Sequence, residues 1–384
     1  MTKQVPSQTP GAETDFQSDI LPVFSASSSA APRDERRLGI SRRGFLACAA
    51  PAILRAQQNA AAIPAKLAED FKLPGLSVAM ARHGKMVFQQ AFGWAGRDAR
   101  EKLTPQHRFR IASVSKPITS VALFTLIEAG RLRLDDTVFG PRGVLGEAYG
   151  NPPYNPHIED IRIVHLMTHT GGGWTNDDRD PMFRHPEMNH AQLIRWTLAN
   201  QPLVNPPGEK YAYSNFGYCV LGRVIEKLTG QPYSRYVQEK VLAPCGIRDM
   251  QIAGNALADR APGEVVYYQP EESPYGMNVR RMDSHGGWIA TAADLVNFAG
   301  HMDAILKPGS LREMTTATAA NAGYAKGWAV NKVPNWWHTG SLPGTATLMV
   351  RTESGFCWAA LTNTRSEDLA TAMDRMMWQL SGKF

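Results

Sequence analysis

The chain has 384 residues, 43% hydrophobic and 20% charged, with a formal net charge of +6. That is globular composition, long enough for one large domain or two sharing a core, and no basic run after residue 56 points to nucleic acid. No stretch reaches the roughly 18–20 apolar residues that cross a bilayer.

Residues 1–40 are polar, rich in Ser, Pro, Ala and Asp, and without helical or strand period, so they are expected to be disordered. Ser41-Arg42-Arg43-Gly44-Phe45-Leu46 follows, then a short apolar run over 47–54 and a patch of small residues ending at Ala62. This pattern predicts a twin-arginine export signal cleaved between Ala56 and Ala62, which places a mature chain in the periplasm or outside the cell. The expected division is a leader and signal over 1–62 and a catalytic domain over 63–384.

Apolar residues over 76–81 and 86–92, with Gly84 between them, predict a β-hairpin. A helix starting near Ser113 or Val114 and ending at Gly130 is apolar on most sides and is expected to be central. Pro117 is compatible with such a helix only in its first turn, where backbone N–H groups lack intrahelical partners. Further helices are predicted over 191–200, 216–229 and 234–242, the second closed by Gly230 and the third by Pro244. Thr291 with Asp294 three residues on reads as a helix cap. Strands are predicted over 324–331, 336–339, 345–351 and 356–362, and a last helix over 367–380. The fold class is therefore α+β: an antiparallel sheet flanked by helices, with a mostly helical region over about 117–290 inserted between sheet-forming 63–112 and 320–384. Cys48, Cys219, Cys245 and Cys357 lack the spacing of a metal cluster or disulfide framework and are expected as buried free thiols.

Three stretches carry candidate chemistry. Ser113 and Lys116 stand three apart at a helix start, so they share a face, and a partly desolvated lysine there takes the serine proton. N–H groups at the same helix end would face an oxyanion formed at Ser113. In Tyr213-Ser214-Asn215 a tyrosine beside a lysine can relay a proton to a leaving group. The asparagine, two residues on along an extended segment, can hold a substrate amide. In His338-Thr339-Gly340, on a strand after Trp336-Trp337, the glycine lets a substrate backbone approach a strand edge.

Jointly, Ser113-x-x-Lys116, Tyr213-x-Asn215 and His338-Thr339-Gly340 resemble the serine β-lactamase and penicillin-binding family. The resemblance is to its branch of class C β-lactamases, D,D-carboxypeptidases, D-amino-acid peptidases and carboxylesterases. It extends through Leu166-Met167-Thr168-His169-Thr170-Gly171 and Gly286-Gly287-Trp288, and covers about residues 65–380. It implies a serine hydrolase working through an acyl-enzyme on Ser113, with Lys116 and Tyr213 handling the proton. It also implies an oxyanion between the N–H groups of Ser113 and Ser341, and Asn215, His338 and Thr339 placing the substrate. The implied substrate is a small amide or ester, peptides of the cell wall among the candidates, and no metal or organic cofactor is called for. His338 stands where many β-lactamases carry lysine; a histidine is mostly neutral at pH 7, which favours a peptidase or esterase over an efficient β-lactamase. A non-catalytic penicillin-binding sensor is the competing class.

Other candidates are set aside. Tyr149-Gly150-Asn151 and His169-Thr170-Gly171 repeat the second and third motifs but lie outside their context, and are expected to be structural. His165 and His169 have helical spacing, but Leu166 stands where a zinc protease would carry glutamate. Asp283-Ser284-His285 has triad residue types without a nucleophile elbow. Asp177-Asp178-Arg179-Asp180 is expected to be a solvated loop, the alternative being that it lines the cleft and favours cationic substrates.

Overall fold

A computed structural model describes residues 60–384. The Arg42-Arg43 pattern, the leader up to residue 59 and Cys48 lie outside the described residues. Cys219, Cys245 and Cys357 are buried free thiols.

Helix α1 (Ala62–Asp70) leads into the hairpin of β1 (Gly75–Arg82) and β2 (Lys85–Gly96). Its two-residue turn, His83-Gly84, has φ of +50° and +75°, which suits the twist of the flanking strands. Short strands β3 (Glu101–Lys102) and β4 (Phe109–Arg110) precede α2 (Ser115–Glu128), which is buried on nearly every side. The helical region continues through α3 (Ile163–Met167), α4 (Pro181–Arg184), α5 (His190–Asn200), α6 (Asn215–Thr229) and α7 (Tyr233–Val237). Gly230 ends α6 at φ +71°, as its position predicts. Strands β5 (Gln251–Ile252) and β6 (Trp288–Ala290) come next, then α8 (Ala292–Gly300) and α9 (Pro308–Thr315). The Thr291 hydroxyl accepts from the Asp294 N–H at 3.0 Å and the Asp294 carboxylate accepts from the Thr291 N–H at 2.9 Å, which completes the expected cap of α8. The chain closes with β7 (Ala329–Val330), β8 (Trp336–Leu342), β9 (Thr345–Arg351), β10 (Phe356–Thr362) and α10 (Leu369–Ser381).

Seven strands form one antiparallel sheet in the order β3-β2-β1-β10-β9-β8-β7. The first and last parts of the described chain meet at its centre, where β1 pairs with β10 in the register Val78↔Ala360. Successive side chains of a strand point to opposite faces, and here the two faces differ in bulk. Leu76, Val78, Met80, Leu348, Val350 and Trp358 pack with Met373, Met377 and Leu380 of α10 on one face. Ala79, Ala81 and Ala359 point the other way and join the core that contains α8 and α2. Small residues on that face let α8 lie close to the sheet.

Two expectations are corrected. The strand predicted over 324–331 shrinks to Ala329–Val330, because Gly327 turns the chain at φ +87° against α2. A Cβ there would stand 2.8 Å from Ser120 Cβ and 2.9 Å from the Tyr218 hydroxyl oxygen. The helix predicted over 234–242 keeps α-geometry only to Val237 and continues as a wider turn through Gln238–Leu242. The small second sheet, β4-β6-β5, was not foreseen; two- and three-residue strands leave too short an alternation to read.

Candidate active site

The approach to Ser113 is pinned from two sheets. β4 pairs with β6, and the Ile111 N–H donates to the Trp288 carbonyl at 3.0 Å. From β9, the Thr345 hydroxyl donates to the Arg110 carbonyl and the Thr347 hydroxyl to the Ile111 carbonyl, each at 2.9 Å. The chain then turns sharply at Ala112, whose φ of +47° is left-handed. A residue with a Cβ pays about 1–2 kcal/mol for that conformation, so the surrounding bonds must hold it. Gly340 of β8 sets the remaining wall: a Cβ on it would lie 2.3 Å from both the Ile111 carbonyl oxygen and the Thr347 hydroxyl oxygen. The close approach seen at this glycine is therefore to the chain's own backbone. Ser113 sits half-buried in a tight turn, Ala112–Val114, and α2 begins at Ser115, two residues later than the earliest predicted start; Pro117 falls in its first turn.

Lys116 is fully buried, and among its partners are Ser113 Oγ at 3.1 Å, Asn215 Oδ1 at 2.8 Å and the His285 carbonyl at 3.3 Å. Its Nζ also lies 4.6 Å from the centroid of the Tyr213 ring. Residues 100 apart in sequence thus converge on one amine. Asn215 is not on an extended segment. Ser214 caps α6, its hydroxyl accepting from the Gly217 N–H at 3.1 Å, and Asn215 is the first residue of the helix. Its two amide hydrogens are both taken, by Asn176 Oδ1 at 2.8 Å and Asp180 Oδ2 at 2.9 Å.

That last contact corrects the reading of the acidic loop. Asp178 and Arg179 are exposed, but Asp180 is fully buried and caps α4 by accepting from the Met182 N–H at 2.9 Å. Burial pushes its carboxyl up to about 7, against the pull of its bonds from Asn215 and Met182. The missed signal was Asp180-Pro181 itself, a capping residue followed by proline at the first helical position.

His338 is buried behind the same amine. Its Nδ1 lies 2.6 Å from the Thr339 carbonyl and its Nε2 3.1 Å from the Tyr324 hydroxyl. That hydroxyl lies 3.1 Å from His169 Nε2, and His169 Nδ1 accepts from the Ser214 N–H at 3.1 Å. A carbonyl only accepts and an amide N–H only donates, so the two ends make His169 Nε2–H and His338 Nδ1–H donors, and burial keeps the other nitrogen of His338 bare to accept. Ser214 N–H donates to His169, His169 Nε2–H to Tyr324, Tyr324 O–H to His338, and His338 Nδ1–H to Thr339. Both imidazoles are neutral in this arrangement. Burial, then the nearby Lys116, pushes His338 down to about 3 and holds His169 well below the usual histidine range. His169, set aside as structural, therefore ties the second motif to the third, and its ring lies 4.1 Å from that of Tyr213.

A family model described as Beta-lactamase matches residues 60–380. The chain belongs to the Beta-lactamase family. It is 29% identical over 303 residues to Esterase EstB of Burkholderia gladioli, a match covering 69% of this chain and 74% of that one. It is 23% identical to Protein flp of Staphylococcus aureus (strain MW2) over 80% of this chain, and spans 63% of that longer protein. Its fold matches the D-amino acid amidase from Ochrobactrum anthropi SV3 with a TM-score of 0.69 and 21% identity, over 86% of this chain and 99% of the other.

The remaining candidates in this Beta-lactamase family member fall as follows. Thr339 is half-buried and Ser341 exposed on β8, opposite Leu348 and Ala346 of β9. Tyr149 packs on the main apolar core and Asn151 is exposed. His165 Nδ1 accepts from the Arg162 N–H, so the two histidines of the apparent metal spacing serve separate bonds. Asp283 binds Arg223 at 2.6 Å, and His285 meets the site through its backbone, by the carbonyl facing Lys116. Tyr324 escaped notice because its stretch read as strand; the isolated Gly327 within that stretch was the available sign of a break.

Proposed function

We propose that Ser113 is the nucleophile of this serine hydrolase and carries the acyl group of an ester or amide substrate. The observation that carries the reading is the placement of Lys116 Nζ 3.1 Å from Ser113 Oγ. Two other neighbours of that nitrogen, Asn215 Oδ1 and the His285 carbonyl, only accept. A neutral amine meets all three: its N–H bonds go to the two acceptors, and its lone pair faces the serine hydroxyl. Ser113 Oγ–H gives its proton to Lys116 as Oγ bonds to the substrate carbonyl carbon, and the carbonyl oxygen becomes an oxyanion between the N–H groups of Ser113 and Ser341. Tyr213, stacked beside Lys116, passes the proton to the departing alkoxide or amine. Water then attacks the acyl-enzyme with the same groups in reverse. Thr339, Gly340 and Ser341 offer a strand edge to the bound substrate.

The substrate class we favour is a carboxylic ester or a D-amino-acid-type amide that needs no carboxylate partner at His338. The neutral, fully engaged His338 supports this over a β-lactamase proper, since it supplies no positive charge for a carboxylate. The relative named an esterase and the neighbour named a D-amino acid amidase are consistent with that choice. We further propose export through the twin-arginine pattern at Arg42-Arg43, with cell-wall peptides among the amides tested. Purified protein and Ser113→Ala should be compared on p-nitrophenyl butyrate, D-amino-acid p-nitroanilides, a D-Ala-D-Ala peptide and nitrocefin. Ester or amide turnover should exceed nitrocefin turnover, and the alanine variant should lose on the order of 10³-fold. Equal activity of the two proteins would remove Ser113 from the mechanism.

A further inference from the structure

Asp180 lies outside every motif, yet it is buried, charged when ionised, and one residue removed from the amine that works on Ser113. The line runs from Asp180 Oδ2 to Asn215 Nδ2 at 2.9 Å, and from Asn215 Oδ1 to Lys116 Nζ at 2.8 Å. An asparagine amide can be turned over with little change in shape, so something must choose which end faces the lysine. With the NH2 turned toward Lys116, two donors would meet and the lysine would lose an acceptor. Above about 7, where Asp180 is ionised, its carboxylate only accepts, so it keeps the NH2 on its own side and the oxygen on the side of Lys116. Asn176 Oδ1 takes the second amide hydrogen, but Asn176 is exposed and can flip its own amide freely.

We propose that Asp180 is a positioning residue of the hydrolytic site, acting through Asn215 to hold Lys116 on Ser113 and to offset the charge Lys116 acquires on taking the serine proton. The proposal rests on the roles given to Ser113 and Lys116 above. It also assigns Asn215 a part in the proton machinery, since both of its amide hydrogens are taken by Asn176 and Asp180. Other charged groups around Asp180 are Lys116 of α2, Asp177 of its own loop and Arg281, which donates to the Met182 carbonyl just beyond it. Among these, Lys116 is the one that Asn215 connects to Asp180 by hydrogen bonds.

Asp180→Asn is the informative variant, because asparagine still caps α4 through its oxygen. Its NH2 then faces the NH2 of Asn215 and drives that amide over. The expected result is a fall of about 10²-fold in the acylation rate and kcat with p-nitrophenyl butyrate, while KM changes less than about threefold. Adding Asn215→Asp to Asp180→Asn restores an acceptor toward Lys116 and a donor–acceptor pair behind it, and should recover about tenfold or more of the loss. Asp180→Ser, which caps the helix but is too short to reach Asn215, should be as slow as Asp180→Asn, and thermal melting of each variant reports whether it is folded. Activity of either single variant within threefold of the parent, or a double variant no faster than Asp180→Asn, overturns the proposal. Ser113→Ala in the same assay separates the two readings: if it is inert while Asp180→Asn is fully active, the role of Asp180 fails alone, and if it is active, the proposed nucleophile fails.

Discussion

The Tyr324 hydroxyl donates to Nε2 of His338 at 3.1 Å, and this bond turns the third motif's histidine away from substrate recognition by charge. Tyr324→Phe leaves that ring nitrogen without its donor, a loss expected to reduce stability by about 1–3 kcal/mol. His338→Lys puts an ammonium into the same enclosed space beside Lys116. It should be the more destabilising change, by about 3–5 kcal/mol, and nitrocefin turnover should not rise. Urea unfolding and a nitrocefin assay check both; a stable lysine variant with much faster nitrocefin turnover would contradict the reading of this site.

Gly340→Ala should damage the nucleophile from a distance. The added methyl meets the Ile111 carbonyl and the Thr347 hydroxyl at 2.3 Å, and neither is the loose end of a flexible chain. Overpacking of this kind costs about 1–3 kcal/mol. Displacement of the Ala112 elbow should also slow acylation by on the order of 10²-fold. Normal stability and normal acylation together would show that β8 does not brace the turn.

Buried groups around the site push the dependence of stability on pH in opposite directions. His169, His285 and His338 refuse a proton when folded, each chiefly because of burial, but accept one when unfolded below about 6.5. Their contribution is complete above about 6.5 and is lost as pH falls, toward about 3 for His338. Asp180 behaves in reverse: unfolded it releases its proton near 3.8, folded near 7, so its contribution is present below 3.8 and lost as pH rises toward 7. His285 touches Lys116 only through its carbonyl among the described bonds, which makes it the cleanest histidine to replace. His285→Gln should flatten the acid side of a urea-midpoint series between pH 6.5 and 4 by at most about 1.4 kcal/mol per pH unit. An unchanged slope would mean that His285 titrates normally in the fold.

The parts of this molecule that were legible in the sequence are those whose evidence is local. Ser113 and Lys116 announce themselves by a spacing of one helical turn, and β1, β2, β9 and β10 by apolar runs set off by Gly and Pro. His338 was legible as a departure from the family pattern, and its neutrality follows from burial rather than from its ordinary titration. What stayed hidden depends on distant chain returning to the site. Tyr324 counted as a strand residue until Gly327 bent it over α2, and Asp180 looked like one more surface acid until α4 and α6 closed around it. His169 was dismissed as a repeat of the third motif, though its ring nitrogens bridge the second motif to the third. Asn215 reads as part of an extended segment until the Ser214 hydroxyl, accepting from the Gly217 N–H, makes it the first residue of α6.

The central claim is tested most directly by trapping the acyl-enzyme. Protein quenched in acid during turnover of p-nitrophenyl butyrate, or after exposure to a fluorescent penicillin, is digested and mapped by mass spectrometry. The account predicts one acyl group per chain on the peptide containing Ser113, and none in Ser113→Ala. An acyl group on another residue, or a labelled Ser113→Ala, would contradict it.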